Sequence, residues 1–113
     1  MENGISCKSL EVSDEFMANL TGVYYYTFET FGILQADRYK EKIEKAVDTL
    51  PEYYTAYSEC QQLATKSRMY RRIILDAHLI IYRITKKRIE VLDIVHHKSS
   101  NSRIQKVRSI RLS

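Results

Sequence analysis

Three short runs rich in Ile, Val, Leu and Tyr dominate the second half of the chain and constrain its fold more than any other feature. Polar gaps separate them, first Asp76-Ala77 and then residues 85–88. Runs of β-branched residues divided by short polar gaps are typical of an antiparallel meander. The second half therefore predicts three adjacent strands, at residues 69–75, 78–84 and 89–96.

The first half predicts two amphipathic helices that form a hairpin. Ser13 is a good N-cap for the first helix, and Gly32 is a natural stop. Pro51 is expected to end the second, since proline cannot continue the hydrogen-bonded ladder. The joint is short, so the helices are expected to lie antiparallel. Their apolar stripes are Phe16, Leu20, Val23, Thr27 and Phe31 in the first helix, and Ala36, Tyr39, Ile43, Val47 and Leu50 in the second.

The remaining segments complete a β-α-α-β-β-β order. Residues 5–12 alternate in character and predict a strand ahead of the hairpin, whereas the polar stretch 52–68 is interpreted mostly as a connection. This order indicates an α+β domain with one mostly antiparallel sheet and the helices on one of its faces. A length of 113 residues suits a single domain over 1–113. The basic tail, about 101–113, is interpreted as a short helix or an extended arm.

Charge is distributed unevenly between the two halves of the chain. The net charge is +4, but residues 1–60 hold 11 acidic and 5 basic side chains, whereas residues 61–113 hold 3 acidic and 13 basic ones. This asymmetry predicts a basic face that meets a polyanion or an acidic partner. The alternative is a basic surface that only aids solubility.

Several classes of protein are excluded by what the sequence lacks. Cys7 and Cys60 lie far apart with no metal-ligand spacing, which argues against a disulfide scaffold or a zinc site and fits a reducing cytoplasm. No apolar run approaches the roughly 20 residues that span a bilayer. The N-terminus has no basic n-region or apolar h-region, so no secretory signal is expected. We therefore expect a cytoplasmic protein without a membrane partner, metal or cofactor.

The order and spacing of several short motifs resemble the RelE/ParE superfamily of bacterial toxins from type II toxin–antitoxin systems. The strand pattern is most similar to the ParE or plasmid-stabilisation branch. The motifs that carry the resemblance are Phe31-Gly32 at the end of the first helix, Leu50-Pro51 at the end of the second, Tyr70-Arg71 at a strand start, and the runs Ile80-Ile81-Tyr82-Arg83-Ile84 and 89–96.

The resemblance implies the fold described above and one of two activities. RelE-like members are ribosome-dependent mRNA endonucleases, whereas ParE-like members poison DNA gyrase. Both are neutralised by an antitoxin that wraps the toxin, so a cognate acidic antitoxin is the implied partner. Because the two branches share a fold, the activity has to be argued from the site.

The residues of the implied nuclease site are only partly present. RNA cleavage by a 2′-hydroxyl needs a base, an acid and cations that stabilise the phosphorane. RelE-like toxins have an arginine where this chain has Leu79, which removes a phosphate clamp. Arg83 has the same strand parity and is the candidate substitute. His96, His97 and Lys98 follow at the end of the last strand, and His97 is the freer candidate for a general acid or base.

Further basic residues are candidates for contacts with nucleic acid or antitoxin. Arg71 and Arg72 are expected to point to opposite faces of their strand. In the tail, the candidates are Arg103, Lys106, Arg108 and Arg111. They suit a phosphate backbone or an acidic antitoxin, and a solvated surface is the alternative.

The sequence thus predicts a type II toxin that arrests growth and is held inactive by an antitoxin. A ParE-like target, DNA gyrase, or an uncharacterised one is favoured because of Leu79. The first alternative is a metal-independent, RelE-like mRNA endonuclease acting at the ribosome, which the basic, histidine-bearing second half would suit. The second is an inactive basic interaction module that retains the fold.

Overall fold

The order of helices and strands in the computed structural model, which describes residues 7–112, confirms the predicted α+β architecture. Four strands form one mixed sheet in the order β1-β4-β3-β2, with β1 parallel to β4 and the other pairs antiparallel. The elements are β1 Ser9–Val12, α1 Asp14–Phe31, α2 Ile33–Asp48, α3 Leu50–Tyr53, a 3-10 turn Gln61–Leu63, β2 Tyr70–Ile74, β3 His78–Ile84, β4 Arg88–His96, α4 Asn101–Gln105 and a second 3-10 turn Lys106–Ser109.

Ser13 links the first strand, the first helix and the central strand. Its Oγ accepts a hydrogen bond from the Phe16 backbone N–H at 2.8 Å, as predicted for an N-cap, and donates to the Leu92 carbonyl. Its backbone N–H donates to Val91 at 2.9 Å. Strand β1 is shorter than the predicted 5–12; residues 5 and 6 lie outside the described residues.

The helical hairpin differs from the prediction at two points. Helix α2 ends at Asp48, before Pro51, and Pro51 lies in the first turn of α3, where its missing N–H costs no hydrogen bond. Phe31, expected on the buried stripe, is 66% exposed because it is the last residue of α1, beyond the part of the helix that packs in the core. Gly32 joins the helices with φ 92°, a conformation that favours glycine.

The sheet is buried on both faces, and a β-bulge in β4 makes this possible. Ile81 pairs with Asp93 and Tyr82 with Val91, so Leu92 is the extra residue. Strict alternation would place Val91 and Ile94 on opposite faces, but the bulge returns Ile94 to the face of Val91. That face packs against the hairpin, and Leu92 and Val95 belong to a separate apolar cluster on the other side.

The C-terminal segment, residues 101–112, covers the second face. The tail is helical rather than an extended arm, with Ser100 as the N-cap of α4. Ile104, Val107 and Ile110 are buried and join the cluster of Leu92 and Val95. Among residues 7–112, no helix has the length and hydrophobicity needed to cross a membrane.

Ser13→Ala should lower the free energy of unfolding by about 1–2 kcal/mol, because it removes the N-cap of α1 and the hydrogen bond to β4. Urea denaturation followed by circular dichroism measures this loss. Ser58→Ala is the matched control, since Ser58 is exposed and lies outside the helices and strands. Equal stability of the two variants would contradict the role assigned to Ser13.

Candidate functional site

Arg83 is buried between the sheet and the C-terminal segment. Leu79 and Arg83 share this face, as their parity predicts, and Leu79 lies in its apolar cluster. The Arg83 guanidinium contacts Glu90 at 2.7 Å and donates to the Ile110 carbonyl at 3.1 Å. A further donor reaches the Tyr70 hydroxyl at 3.3 Å. Arg83 is therefore engaged within the protein and anchors the C-terminal segment.

Glu90 is held ionised by two arginines. Its second oxygen contacts Arg88 at 2.8 Å. Burial disfavours the charge on Glu90, but the hydrogen bonds from Arg83 and Arg88 outweigh it, so the pKa of Glu90 is lowered. The pair is thus a buried structural ion pair, for which removal of one partner is costly.

The histidines at the end of β4 lie side by side. His96 is the last residue of the strand, so the strand geometry does not force the His97 side chain to the opposite face of the sheet. The two rings stack with centroids 4.7 Å apart. The His97 Nδ1 lies 3.0 Å from the Ala77 carbonyl, which requires the proton on Nδ1 and leaves Nε2 free in the neutral ring. Lys98 is exposed, and its backbone N–H donates to His96 Nδ1 at 3.1 Å.

His78 joins this cluster, although the sequence analysis did not include it. It pairs with His96 across β3 and β4, with ring centroids 5.6 Å apart, and its Nδ1 lies 2.7 Å from the Tyr39 hydroxyl. Burial lowers the pKa of His78, and the neighbouring His96 and His97 lower it further. The antiparallel pairing of the predicted strands was the signal that could have revealed it.

A groove of about 600 Å³ opens between α1 and the histidine end of the sheet. We call it the hairpin groove. A Cβ added at Gly22 would meet nothing within 4 Å, so the groove has space for a side chain at this position of α1. Its rim carries Tyr26 and Phe31, each 66% exposed. The residues that line it are Asn19, Gly22, Val23, Tyr26, Phe31, Ala77, His78, Ile94, Val95, His96, Ser99 and Arg103.

Arg103 is positioned in this groove by a buried carboxylate at the bulge. Its Nη2 contacts Asp93 Oδ2 at 2.8 Å, and Asp93 is 2% exposed. The other oxygen of Asp93 accepts hydrogen bonds from the Asn19 side chain at 2.7 Å and from the Ile94 N–H at 2.8 Å. Asp93 thereby links α1, β4 and α4. The sequence offered no signal for this role, since the bulge cannot be read from the pattern.

The remaining candidate residues lie elsewhere. Arg71 and Arg72 sit on opposite faces, as predicted: Arg71 donates to the carbonyls of the 55–57 loop, and Arg72 lies near Cys60 on the other face. Within residues 7–112, the Arg72 Nε is buried without a hydrogen-bond partner. The exposed basic residues of the C-terminal segment are Lys106, Arg108, which lies over the Tyr70 ring, and Arg111.

The candidates thus fall into separate places. His96, His97, Lys98 and Arg103 lie at one end of the sheet, whereas Arg83 is buried under the C-terminal segment. Arg71 lies near the opposite end, since it pairs with Tyr82 towards the β3–β4 turn. Within the described part of the chain, no group of three or more His, Cys, Asp or Glu side chains is arranged to hold a metal ion.

A strand, a helical hairpin and a three-stranded meander in one mixed sheet are the architecture that the resemblance to the RelE/ParE superfamily implies. The family described as "ParE toxin of type II toxin-antitoxin system, parDE" matches residues 10–100. The chain therefore belongs to the ParE toxin family and is the toxin component of a type II toxin–antitoxin system.

Comparison with solved structures supports the fold. A chain from the structure titled "Chromosomal ParDE TA system from P. aeruginosa" superposes with a TM-score of 0.66 at 18% identity. The match covers 80% of this chain and 96% of that one. No curated protein matches the sequence significantly.

Arg83→Met should lower the free energy of unfolding by about 3 kcal/mol, because it leaves Glu90 buried with one partner and frees the C-terminal segment. Arg108→Met is the control and should cost less than about 1 kcal/mol, since it removes an exposed side chain over an aromatic ring. Urea denaturation distinguishes the two. Similar losses would mean that Arg83 does not anchor the segment.

His78→Gln should reduce the acid sensitivity of the fold. The pKa of His78 in the folded protein lies below its ordinary value of 6.5. At pH values between these two pKa values, the unfolded chain therefore binds more protons than the folded one. The parent protein thus loses stability as the pH falls through this range. Glutamine keeps a hydrogen-bonding group beside Tyr39 but does not titrate. Unfolding midpoints in a pH series from about 7.5 to 5 measure the difference, and identical pH dependence would rule out His78 as a cause.

Proposed function

We propose that this toxin arrests growth in the cytoplasm by acting on DNA gyrase, or on another target that is not mRNA. The observation that supports this most is the state of the sheet face that carries Leu79 and Arg83. Leu79 replaces the expected cation and is buried in an apolar cluster, and Arg83 is committed to Glu90. A phosphate clamp needs a cation aimed at the developing charge, and neither side chain provides one.

The hairpin groove is the proposed docking site for the cognate antitoxin. Its apolar wall on α1 and the exposed Tyr26 and Phe31 suit the apolar side of a peptide segment. Arg103, which is paired with Asp93, and His96 line the polar end. The exposed Lys98, whose backbone N–H contacts His96, adds a cation there, which supports an antitoxin segment with acidic residues at that point. Large exposed apolar side chains next to a groove are typical of a surface that a partner covers.

The histidine end supports a second candidate function, the mRNA endonuclease. His97 has a free Nε2 in its neutral form, and His96 and Lys98 lie beside it. In this alternative His97 would act as general base or acid and Lys98 would contact the phosphate. His97→Ala would then abolish cleavage, and Arg83→Ala would act only through stability.

Induced expression of the toxin separates these functions. We expect growth arrest, no new mRNA 5′ ends on transcriptome-wide end mapping, and inhibition of supercoiling by purified gyrase. New cleavage positions that disappear in His97→Ala would establish the endonuclease instead. Unimpaired growth at confirmed expression would favour the inactive interaction module.

Gly22→Phe should weaken antitoxin binding by at least about tenfold, because the new ring would occupy the hairpin groove while α1 gains helix propensity. Thr21→Phe, at the adjacent exposed position, is the matched control. Binding is measured by co-purification and calorimetry with the antitoxin, and toxicity with growth curves. If both variants bind alike, the antitoxin docks elsewhere.

A further inference from the structure

A second groove, of about 610 Å³, lies at the opposite end of the sheet from the histidines. It opens beside the turn between β3 and β4 and the start of β2, and we call it the turn groove. Its lining includes Lys8, Arg71 and Lys86, and among the described residues no carboxylate lines it. Of these three residues, only Arg71 is a candidate from the sequence, because the large separations along the chain hide their proximity.

Lys8 is held in place by the backbone of the turn. Its Nζ donates to the carbonyls of Thr85 at 2.9 Å and Lys86 at 2.8 Å, and it lies 5.6 Å from the centre of the Tyr54 ring. An ammonium group has three donors, and these two bonds leave one for a ligand. Because carbonyl oxygens carry no net charge, the positive charge of Lys8 is oriented by these bonds and not cancelled by them.

Arg71 is fixed in the same way. Its Nε donates to the Arg68 carbonyl at 3.0 Å, and its Nη1 donates to Thr55 at 3.1 Å and to Tyr57 at 2.9 Å. Within residues 7–112, its Nη2 makes no hydrogen bond to a side chain or carbonyl. A guanidinium already held in one orientation loses little entropy when it binds an anion.

Two neighbouring arginines outside the lining, unlike the cations at the groove, are paired with carboxylates. Arg88 contacts Glu90 at 2.8 Å, and Arg68 contacts Glu59 at 3.7 Å. Among the described residues, Lys86 and Lys87 have no carboxylate within salt-bridge distance, and both are exposed at the turn. Within the described residues, the groove and its turn therefore carry cations that have no carboxylate partner.

We propose that the turn groove binds the phosphate backbone of a nucleic acid. Oriented cations and hydroxyl groups are the usual partners of phosphate oxygens, and the hydroxyl-bearing Thr55 and Ser67 complete the lining. The apolar residues of the lining are Met69 and Ile84, and neither is aromatic. Aromatic side chains are frequent anchors for a peptide partner. The hairpin groove offers Tyr26 and Phe31, whereas among the described residues no aromatic side chain lines the turn groove.

The proposed contact is independent of sequence and of the toxin's target. Backbone phosphates carry no base information, so the groove would bind nucleic acid with little preference for base sequence. The inference does not require that gyrase is the target, since it rests only on the geometry of Lys8, Arg71 and Lys86.

Fluorescence anisotropy of the purified full chain with a labelled DNA duplex of about 20 base pairs tests the proposal across a salt series. Lys86→Gln/Lys87→Gln changes two exposed side chains and is expected to leave the fold intact, which a thermal melt checks. We expect about tenfold weaker binding near 0.1 M salt and a salt slope reduced by about 2. Lys106→Gln/Arg108→Gln removes the same charge from the C-terminal segment and is the matched control.

Three outcomes would overturn the proposal. Equal losses in the two double variants would mean that DNA binding follows overall charge and not the groove. Unchanged binding in Lys86→Gln/Lys87→Gln would remove the groove from any contact with DNA. A labelled acidic peptide that binds more tightly than DNA, and loses its affinity in the same variant, would assign the groove to a protein partner. None of these results depends on toxicity, so they are distinguishable from a failure of the proposed function.

Discussion

The burial of β4 on both faces is the constraint on which the rest of the structure depends. The strand lies between β1 and β3, and its residues contribute to the apolar clusters on both sides of the sheet. A strand of this kind needs cover on each face, and the hairpin supplies one cover while the C-terminal segment supplies the other. The bulge at Leu92 changes the alternation of the side chains, so that Val91 and Ile94 lie in one cluster and Leu92 and Val95 in the other. Ser13 and Asp93, each nearly inaccessible to solvent, tie the covering helices to this strand by hydrogen bonds.

The helical hairpin and the C-terminal segment cover the two faces of the sheet, and the hairpin groove and the turn groove lie at its ends. The second face, where Leu79 and Arg83 lie, is closed by Ile104, Val107 and Ile110. Arg83 holds the C-terminal segment against this face, because it pairs with Glu90 of β4 and donates a hydrogen bond to the carbonyl of Ile110. The histidine end opens into an apolar groove, whereas the turn end carries cations oriented by backbone carbonyls. The two ends therefore suit different chemistry, a peptide at the first and phosphate at the second.

Much of the fold could be predicted because its signals are local. The steps of three and four between apolar residues locate α1 and α2, and the N-cap Ser13 marks the helix start. Strand parity correctly places Leu79 and Arg83 on one face. The site could be predicted only in part. His78 and Lys8 are far in sequence from the residues they meet, and the partners of Arg83 come from β4 and the C-terminal segment. Such contacts depend on pairing and register, which the pattern of one segment does not contain.

The sequence by itself determined the class of fold, the ParE-like motif order and the concentration of positive charge in the second half, because periodicity, punctuation by Gly and Pro, and composition are properties of the chain. Only the tertiary structure decided which of those charges are available. Arg83 and Arg88 share the carboxylate of Glu90, and Arg103 is paired with Asp93. Arg71, and Lys8 from the first half of the chain, are held by uncharged carbonyls instead. The physical reason is that the effect of a charge depends on its neighbours in space, and folding brings those neighbours from distant parts of the chain.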